Sequence, residues 1–379
     1  MNQVIEQLVT KKLPLEKSHE QLGASFGEQD GWLLPKSYGD VAAEYKAVRE
    51  NAGLLDLSPR GRVRVSGSEA IMFLNGLITN DMKTLAENHW MSAVFPNVQG
   101  RIIAAVRVVR LADEATRSAI PSFLLDTEAP THARLLKTIE RFTMAGDFRV
   151  KDITNDTALL SIQGINAAAI ATKVLGAAVS ELPRDGASEV EWQQSSVIVM
   201  RATHTSEDGF DLIVDNAHAA ALWQALSEAG AKPVGYDALE TLRIEAGIGR
   251  YGRDMDETNV VTEANLDDAV SYTKGCYIGQ EIIARIKYRG HVAKKLTGLL
   301  FEKQEAIEAG ASIRSVEGKN IGRVTSTVLS PKLGRTIALA YVRYEHLDPG
   351  TRLLVASGAD EVAGTVNELP FDRGSWCQT

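Results

Sequence analysis

An α+β protein, with two ferredoxin-like α/β modules followed by a small antiparallel β-barrel, is the fold that three features of this 379-residue sequence predict. Strand and helix signals alternate through residues 1–290, a strand–turn–helix pattern occurs twice, and short alternating apolar runs separated by turn residues follow His291. The length exceeds one ordinary core and calls for two or three such units.

Taken in chain order, Arg62 to Val65 alternates as a strand. Ser66 and Glu69 then have capping-box spacing ahead of the apolar-periodic stretch Ile71 to Leu77. FLLDTEAPTHARLLKTI (Phe123 to Ile139) reads as a strand, a turn and an amphipathic helix. FDLIVDNAHAAALWQAL (Phe210 to Leu226) repeats that pattern, including the position of an acid and a histidine, and so predicts two related modules. The strands Arg149 to Ile153 and Ala158 to Ile162 lie beside these runs at ferredoxin-like spacing. After His291, the runs LTGLLF, ASIRSV, GRVTSTVL, TIALAYV and TRLLVA are separated by EGKN, SPKLG and HLDPG, which predicts the barrel. The expected division is therefore 1–290, two interleaved α/β modules, and 291–379, the barrel, with no flexible linker between them.

Composition limits function. Hydrophobic residues at 44% and charged residues at 24% describe a globular protein, and a net charge of −8 argues against a nucleic-acid-coating role. The N-terminus has no apolar stretch of signal-peptide length, and the run Ile165 to Val179, broken by Lys173, is too short to span a bilayer. No membrane association is expected. Two distant cysteines, Cys276 and Cys377, make no disulfide framework, and a reducing cytoplasmic compartment is expected.

Familiar chemistries are excluded in turn. GIGRYG (Gly247 to Gly252) has G-x-G-x-x-G spacing, but helical periodicity precedes it and none follows, so it reads as a helix end and a glycine-rich loop. Neither a CxxC nor a local histidine pair is present, so no metal site is expected from local sequence. A nucleophile elbow and a phosphate-cradling Gly-Lys-Ser/Thr loop are also missing.

Two clusters are left. In KGCYIGQE (Lys274 to Glu281), Gly275 and Gly279 permit a tight loop that presents Cys276 just before a helix beginning at Gln280. Lys274 and the helix N-terminus both favour thiolate there, whereas the bland alternative is a small buried hydrophobe. An iron–sulfur cluster needs about four ligands, so this chain holds none alone. The second cluster combines Asp211 in SEDGFDLIV with Arg243, Arg250, Arg253 and Arg285. A carboxylate accepts the 2-amino group and ring N–H of a pterin, and cations meet the glutamate tail of a folate.

Together AVRENAGLLDLSPRGRVRVSG (Ala47 to Gly67), SEDGFDLIV, LRIEAGIGRYGRDMDE and GRVTSTVLSPKLGRTIALAYV resemble the aminomethyltransferase (glycine-cleavage T-protein) superfamily from roughly Phe26 to Phe371. Within it, KGCYIGQE with Arg285, Arg289-Gly290 and Lys295 resembles the YgfZ branch of folate-binding iron–sulfur assembly and repair proteins. The resemblance implies a three-module cloverleaf around a central opening that binds tetrahydrofolate or a one-carbon derivative. It further implies that Asp211, Arg243, Tyr251 and Arg285 contact the folate, and that the motif Lys274, Gly275, Cys276, Tyr277, Gly279, Gln280 and Glu281 serves iron–sulfur clients, with Cys276 and Lys274 at the reacting centre. The acid pair of true aminomethyltransferases falls on Ala104 and Ala105 here, which removes a general base. The expected function is thus tetrahydrofolate-dependent support of [4Fe–4S] protein assembly; the alternative is a folate-dependent aminomethyl or methyl transferase or demethylase.

Overall fold

A computed structural model describes residues 10–112, 120–141, 143 and 146–377; residues 1–9, read above as lacking a signal sequence, and the side chain of Arg289 lie outside the described residues. The first sheet places its strands in the order His89–Pro96, Ile102–Arg110, Ser122–Thr127, Gly61–Ser66, Arg149–Asp152, all antiparallel. Leaving aside the outermost strand, the spatial order is second, third, first, fourth, which is the ferredoxin-like arrangement. Helices Ala70–Leu77 and Ala129–Glu140 cover one face, burying Leu74, Leu77, Leu135 and Ile139 on Val63, Phe95 and Leu125.

The second sheet runs Ala187–Trp192, Ser195–Arg201, Gly209–Asp215, Thr157–Gln163, Gly53–Asp56, Lys232–Pro233. Its helices Ala167–Leu175 and Asn216–Ala229 bury Ile170, Leu222, Trp223 and Leu226. Gly53–Asp56 precedes the first module in the chain yet pairs inside the second sheet, so the two α/β units are interleaved. The opposite face packs Leu159, Ile198, Met200 and Ile213 against Val109 and Leu124 of the first sheet, with Tyr45, Val48, Leu239 and Leu242 from helices Val41–Glu50 and Tyr236–Glu245. Helices on one side and a sheet on the other leave no solvated face. Thr157–Gln163 is accordingly buried at every position, and its sequence lacks polar alternation for that reason.

Arg62 stitches these layers together. It is fully buried and donates to Thr157 Oγ1, to the Thr154 and Thr157 carbonyls, and to the Ser58 and Arg60 carbonyls. Burial pushes its guanidinium down to about 10, and the saturated donor set is what makes that burial tolerable.

The six strands Lys294–Phe301, Arg335–Arg343, Asn320–Ser330, Ser312–Arg314, Arg352–Ser357 and Asp360–Asn367 close into a barrel, which removes exposed edges. Leu296, Ile337, Leu339 and Tyr341 on its outer side pack on Ile244 of helix Tyr236–Glu245. Among the described residues no helix is long and apolar enough to cross a membrane.

One local expectation is corrected. Ser66 and Glu69 form no capping box: Gly67 takes φ +138° between them, and Glu69, at the N-cap, makes no capping bond. Its carboxylate accepts the Asp147 amide at 2.8 Å instead, while Asp147 accepts from Ser68, so the motif ties two loops together.

Candidate functional site

Helix Tyr236–Glu245 ends where the sequence places its stop, and Gly247 with φ +69° turns the chain into the loop that carries Arg250. That loop, the Gln29–Asp30 turn, Arg60 ahead of strand Gly61–Ser66, the Glu128–Pro130 strand-to-helix junction, His204 and Tyr236 enclose a pocket where the two α/β modules meet. The barrel supports the floor from behind. Asp254 accepts from Thr325 and Ser326 at 2.6 and 2.7 Å and from Arg243 at 2.5 Å.

Asp211 sits mid-strand and is fully buried beneath the pocket wall. His204 Nε2 lies 2.9 and 3.1 Å from its two oxygens. Arg107 Nη2 reaches it at 2.6 Å, an ion-pair distance without an aligned hydrogen bond. Burial acts to raise the Asp211 carboxyl, but His204 and Arg107 outweigh it and hold the group far below the ordinary range. Arg107 also pairs with Asp126, as does Arg60; burial opposes these two cations, which together bring Asp126 down to about 2. The pocket therefore meets His204 and Arg60, each held from behind by a buried carboxylate.

Arg243 lines the floor but is 2% exposed and committed to Glu240, Asp254, Ser326 Oγ and the Ile248 carbonyl. Tyr251 sits behind the wall, its hydroxyl between Arg134 and Glu257, and its amide donates to Glu128 Oε1 at 3.3 Å. Arg285 is exposed and pairs with Glu281 one helical turn away, at 3.1 Å. Of the four expected folate residues, then, Arg243 lines the pocket, Asp211 lies behind its wall in contact with His204, and Tyr251 and Arg285 do not line it.

KGCYIGQE lies elsewhere, against the first module. Lys274 turns inward, away from solvent, and its ammonium donates to the Asn75, Ile78 and Asn80 carbonyls at 2.8, 2.9 and 2.6 Å. Burial pushes that ammonium down to about 8. Tyr277 is buried beside Ile283; Gly279 takes φ +79°, where a Cβ would meet the Asn97 carbonyl at 2.4 Å. Cys276 is exposed, Gly275 stands in open space, and Gln280 and Glu281 begin helix Gln280–Arg289. Neither Cys276 nor Lys274 borders the pocket. Among the described residues no group of three or more His, Cys, Asp or Glu side chains is placed to hold a metal ion.

Sequence reasoning passed over Glu128, Arg60 and His204. Glu128 follows Thr127, which pairs with Val106 and whose hydroxyl donates to the Ala105 carbonyl at 2.9 Å, so a carboxyl stands one residue beyond the strand position tied to Ala105. Its signal was an acid at a strand end directly before Ala129-Pro130, a helix start. The C-terminal tail, to which the sequence assigns no role, is also part of the frame. Ser375 donates twice to Glu207 and accepts from the Asp208 amide, which straps the segment that carries His204.

Two ferredoxin-like modules, a closed barrel and a pocket at their junction define an aminomethyltransferase fold. Residues 15–274 match the GCVT N-terminal domain and residues 294–372 the glycine cleavage T-protein C-terminal barrel domain, and the chain belongs to that family. It is 32% identical to an aminomethyltransferase of Saccharopolyspora erythraea over 375 residues, covering 96% of this chain and 98% of the relative. A Rubrobacter xylanophilus aminomethyltransferase is 34% identical, with 96% and 94% covered. The crystal structure of the glycine cleavage system aminomethyltransferase T from Bartonella henselae superposes with a TM-score of 0.88 at 27% identity, covering 96% of this chain and 98% of that one.

These relatives correct the branch and the function expected from KGCYIGQE. They are aminomethyltransferases, not YgfZ-type iron–sulfur assembly or repair proteins, and they support no iron–sulfur client. The physical reason for the misreading is visible: the eight-residue motif that drew the assignment is largely a packing element, with Lys274, Tyr277 and Gly279 fixed by neighbours of the first module.

Proposed function

We propose that this protein transfers an amine-borne one-carbon unit to tetrahydrofolate bound in the central pocket. The observation that carries the reading is the donor set at the module junction of a chain in this family. Two carboxylates, Asp30 and Glu128, share one pocket with the guanidiniums of Arg60, Arg243 and Arg250, the His204 ring and the Tyr236 ring.

That chemistry fits a reduced folate. His204, oriented by the buried carboxylate of Asp211, and Asp30 meet the hydrogen-bonding edge of the pterin, while Arg250 and Arg60 face the glutamate carboxylates. Arg243 and Asp211 act as positioning residues, because their own polar atoms are already engaged. When bound, tetrahydrofolate supplies the nitrogen that accepts the one-carbon unit. The chain supplies orientation and a partly dry enclosure, which strengthens each charged contact.

The test is a stopped assay for methylenetetrahydrofolate and ammonia, using an aminomethyl donor with and without tetrahydrofolate. The expected outcome is tetrahydrofolate-dependent product, lowered by His204→Ala. Binding of tetrahydrofolate without product from any aminomethyl donor would end the transferase reading.

A further inference from the structure

Glu128 occupies the N-cap of helix Ala129–Glu140, yet its side chain makes no capping hydrogen bond to the helix. An N-cap acid that leaves the helix amides alone forgoes a favourable local contact, so its direction is set by something other than the helix. It points into the pocket, 20% exposed, and among the described residues its side chain meets the Tyr251 amide at 3.3 Å and Arg250 Nε at 3.9 Å. The other carboxylates of the neighbourhood are saturated. Asp126 is held by Arg60 and Arg107, Asp211 by His204 and Arg107, and Asp254 by Arg243, Thr325 and Ser326. Asp30, on the opposite lip, is open to solvent. Glu128 therefore combines enclosure, a place on the wall and lone pairs left for a ligand.

We propose that Glu128 is the acid–base group of the transfer, taking the proton of the accepting nitrogen and returning it to the departing amine. This rests on the reading that the pocket binds a reduced folate. As the new carbon–nitrogen bond forms, the acceptor N–H loses its proton to the Glu128 carboxylate. The bond from carbon to the departing amine breaks with its electron pair on the amine, which takes that proton back. A second exchange of the same kind joins the carbon to a second folate nitrogen as its bond to the donor carrier breaks, the carrier taking that nitrogen's proton. Two carbon–nitrogen bonds form, the bonds to amine and carrier break, and no oxidant or reductant enters. Burial holds the Glu128 carboxyl above its ordinary range against the pull of Arg60, Arg250 and, more weakly, Arg243; His204, Asp30 and Tyr236 face the same space. A carboxyl raised toward neutrality suits a group that must both accept and return a proton.

The test compares wild type with Glu128→Gln and Glu128→Asp. Glu128→Gln is expected to lower kcat about 100-fold while changing the Kd for tetrahydrofolate less than about threefold. It is also expected to abolish the acidic limb of the pH–rate profile, with Glu128→Asp restoring part of both. Calorimetry of tetrahydrofolate binding in two buffers of different ionisation enthalpy gives a readout apart from turnover: wild type exchanges protons on binding and Glu128→Gln does not. A Glu128→Gln enzyme that keeps kcat within threefold and the wild-type pH profile overturns the role of Glu128 and leaves the folate reading standing. Absence of tetrahydrofolate binding by wild type overturns both.

Discussion

The guanidinium of Arg107 lies 2.6 Å from the carboxylate of Asp211 and 2.7 Å from that of Asp126. One cation on the first sheet thus holds a buried carboxylate from each α/β module and closes the seam beneath the pocket.

Arg107→Met should cost about 3–5 kcal/mol of stability, because it removes the shared cation from two buried carboxylates and leaves Asp126 to Arg60 and Asp211 to His204 alone. Adding Asp211→Asn to that variant should recover part of the loss, since the two sites touch and their effects are not additive. Denaturant unfolding of both variants checks this. A loss below about 1 kcal/mol, the range of exposed ion pairs, would mean the seam is held by packing alone.

The same pairs set an acid limit. Asp126 is held at about 2 and Asp211 lower still, against an ordinary 3.8. Below about pH 4 the unfolded chain binds more protons than the folded one, so this stability is complete above that pH and drains away as pH falls toward 2. Arg107→Met brings the folded carboxyls closer to their unfolded values. Its unfolding free energy should therefore fall less steeply than that of wild type between about pH 5 and pH 3. Parallel curves would contradict the assignment.

Much of the architecture was legible in the sequence, and the parts that were not share a cause. The repeat linking Phe123–Ile139 to Phe210–Leu226 reads out as two strand–helix units because both strands are buried and both helices lay an apolar stripe on a sheet. Gly53–Asp56 could not be placed so easily, since its partners lie about a hundred residues or more away in Thr157–Gln163 and Lys232–Pro233. The site was harder still. Asp211 and Arg243 were singled out by residue type and by the family resemblance, but whether a charge faces a ligand or another side chain is decided by long-range partners such as Arg107 and Ser326. Glu128 escaped notice because its environment comes from Tyr251 and Arg250, far along the chain.

KGCYIGQE divides by burial. Lys274→Met removes a cation from three carbonyls at the C-terminal end of helix Ala70–Leu77 and should cost about 1–3 kcal/mol, with faster amide exchange in the residues around Ile278. Cys276→Ser changes an exposed atom away from the pocket and should stay within about 0.5 kcal/mol of wild type, with transfer activity retained. A large activity loss in the serine variant, with stability unchanged, would give the thiol a role that the pocket does not.

The tail binds the loop of His204 through Ser375, Glu207 and the Trp376 amide, which donates to the Ser206 carbonyl at 3.0 Å. Ending the chain after Pro370 should weaken tetrahydrofolate binding about tenfold, ~1.4 kcal/mol, and speed amide exchange in residues 203–208. Unchanged affinity would show that the loop keeps its place without the strap.

The most direct measurement is a crystal structure of the protein with tetrahydrofolate. The expected result places the pterin between His204 and Glu128, with the glutamate tail toward Arg250 and Arg60. Ligand density confined to another surface, or an empty junction at saturating tetrahydrofolate, would contradict the central claim that this pocket is where the one-carbon unit is received.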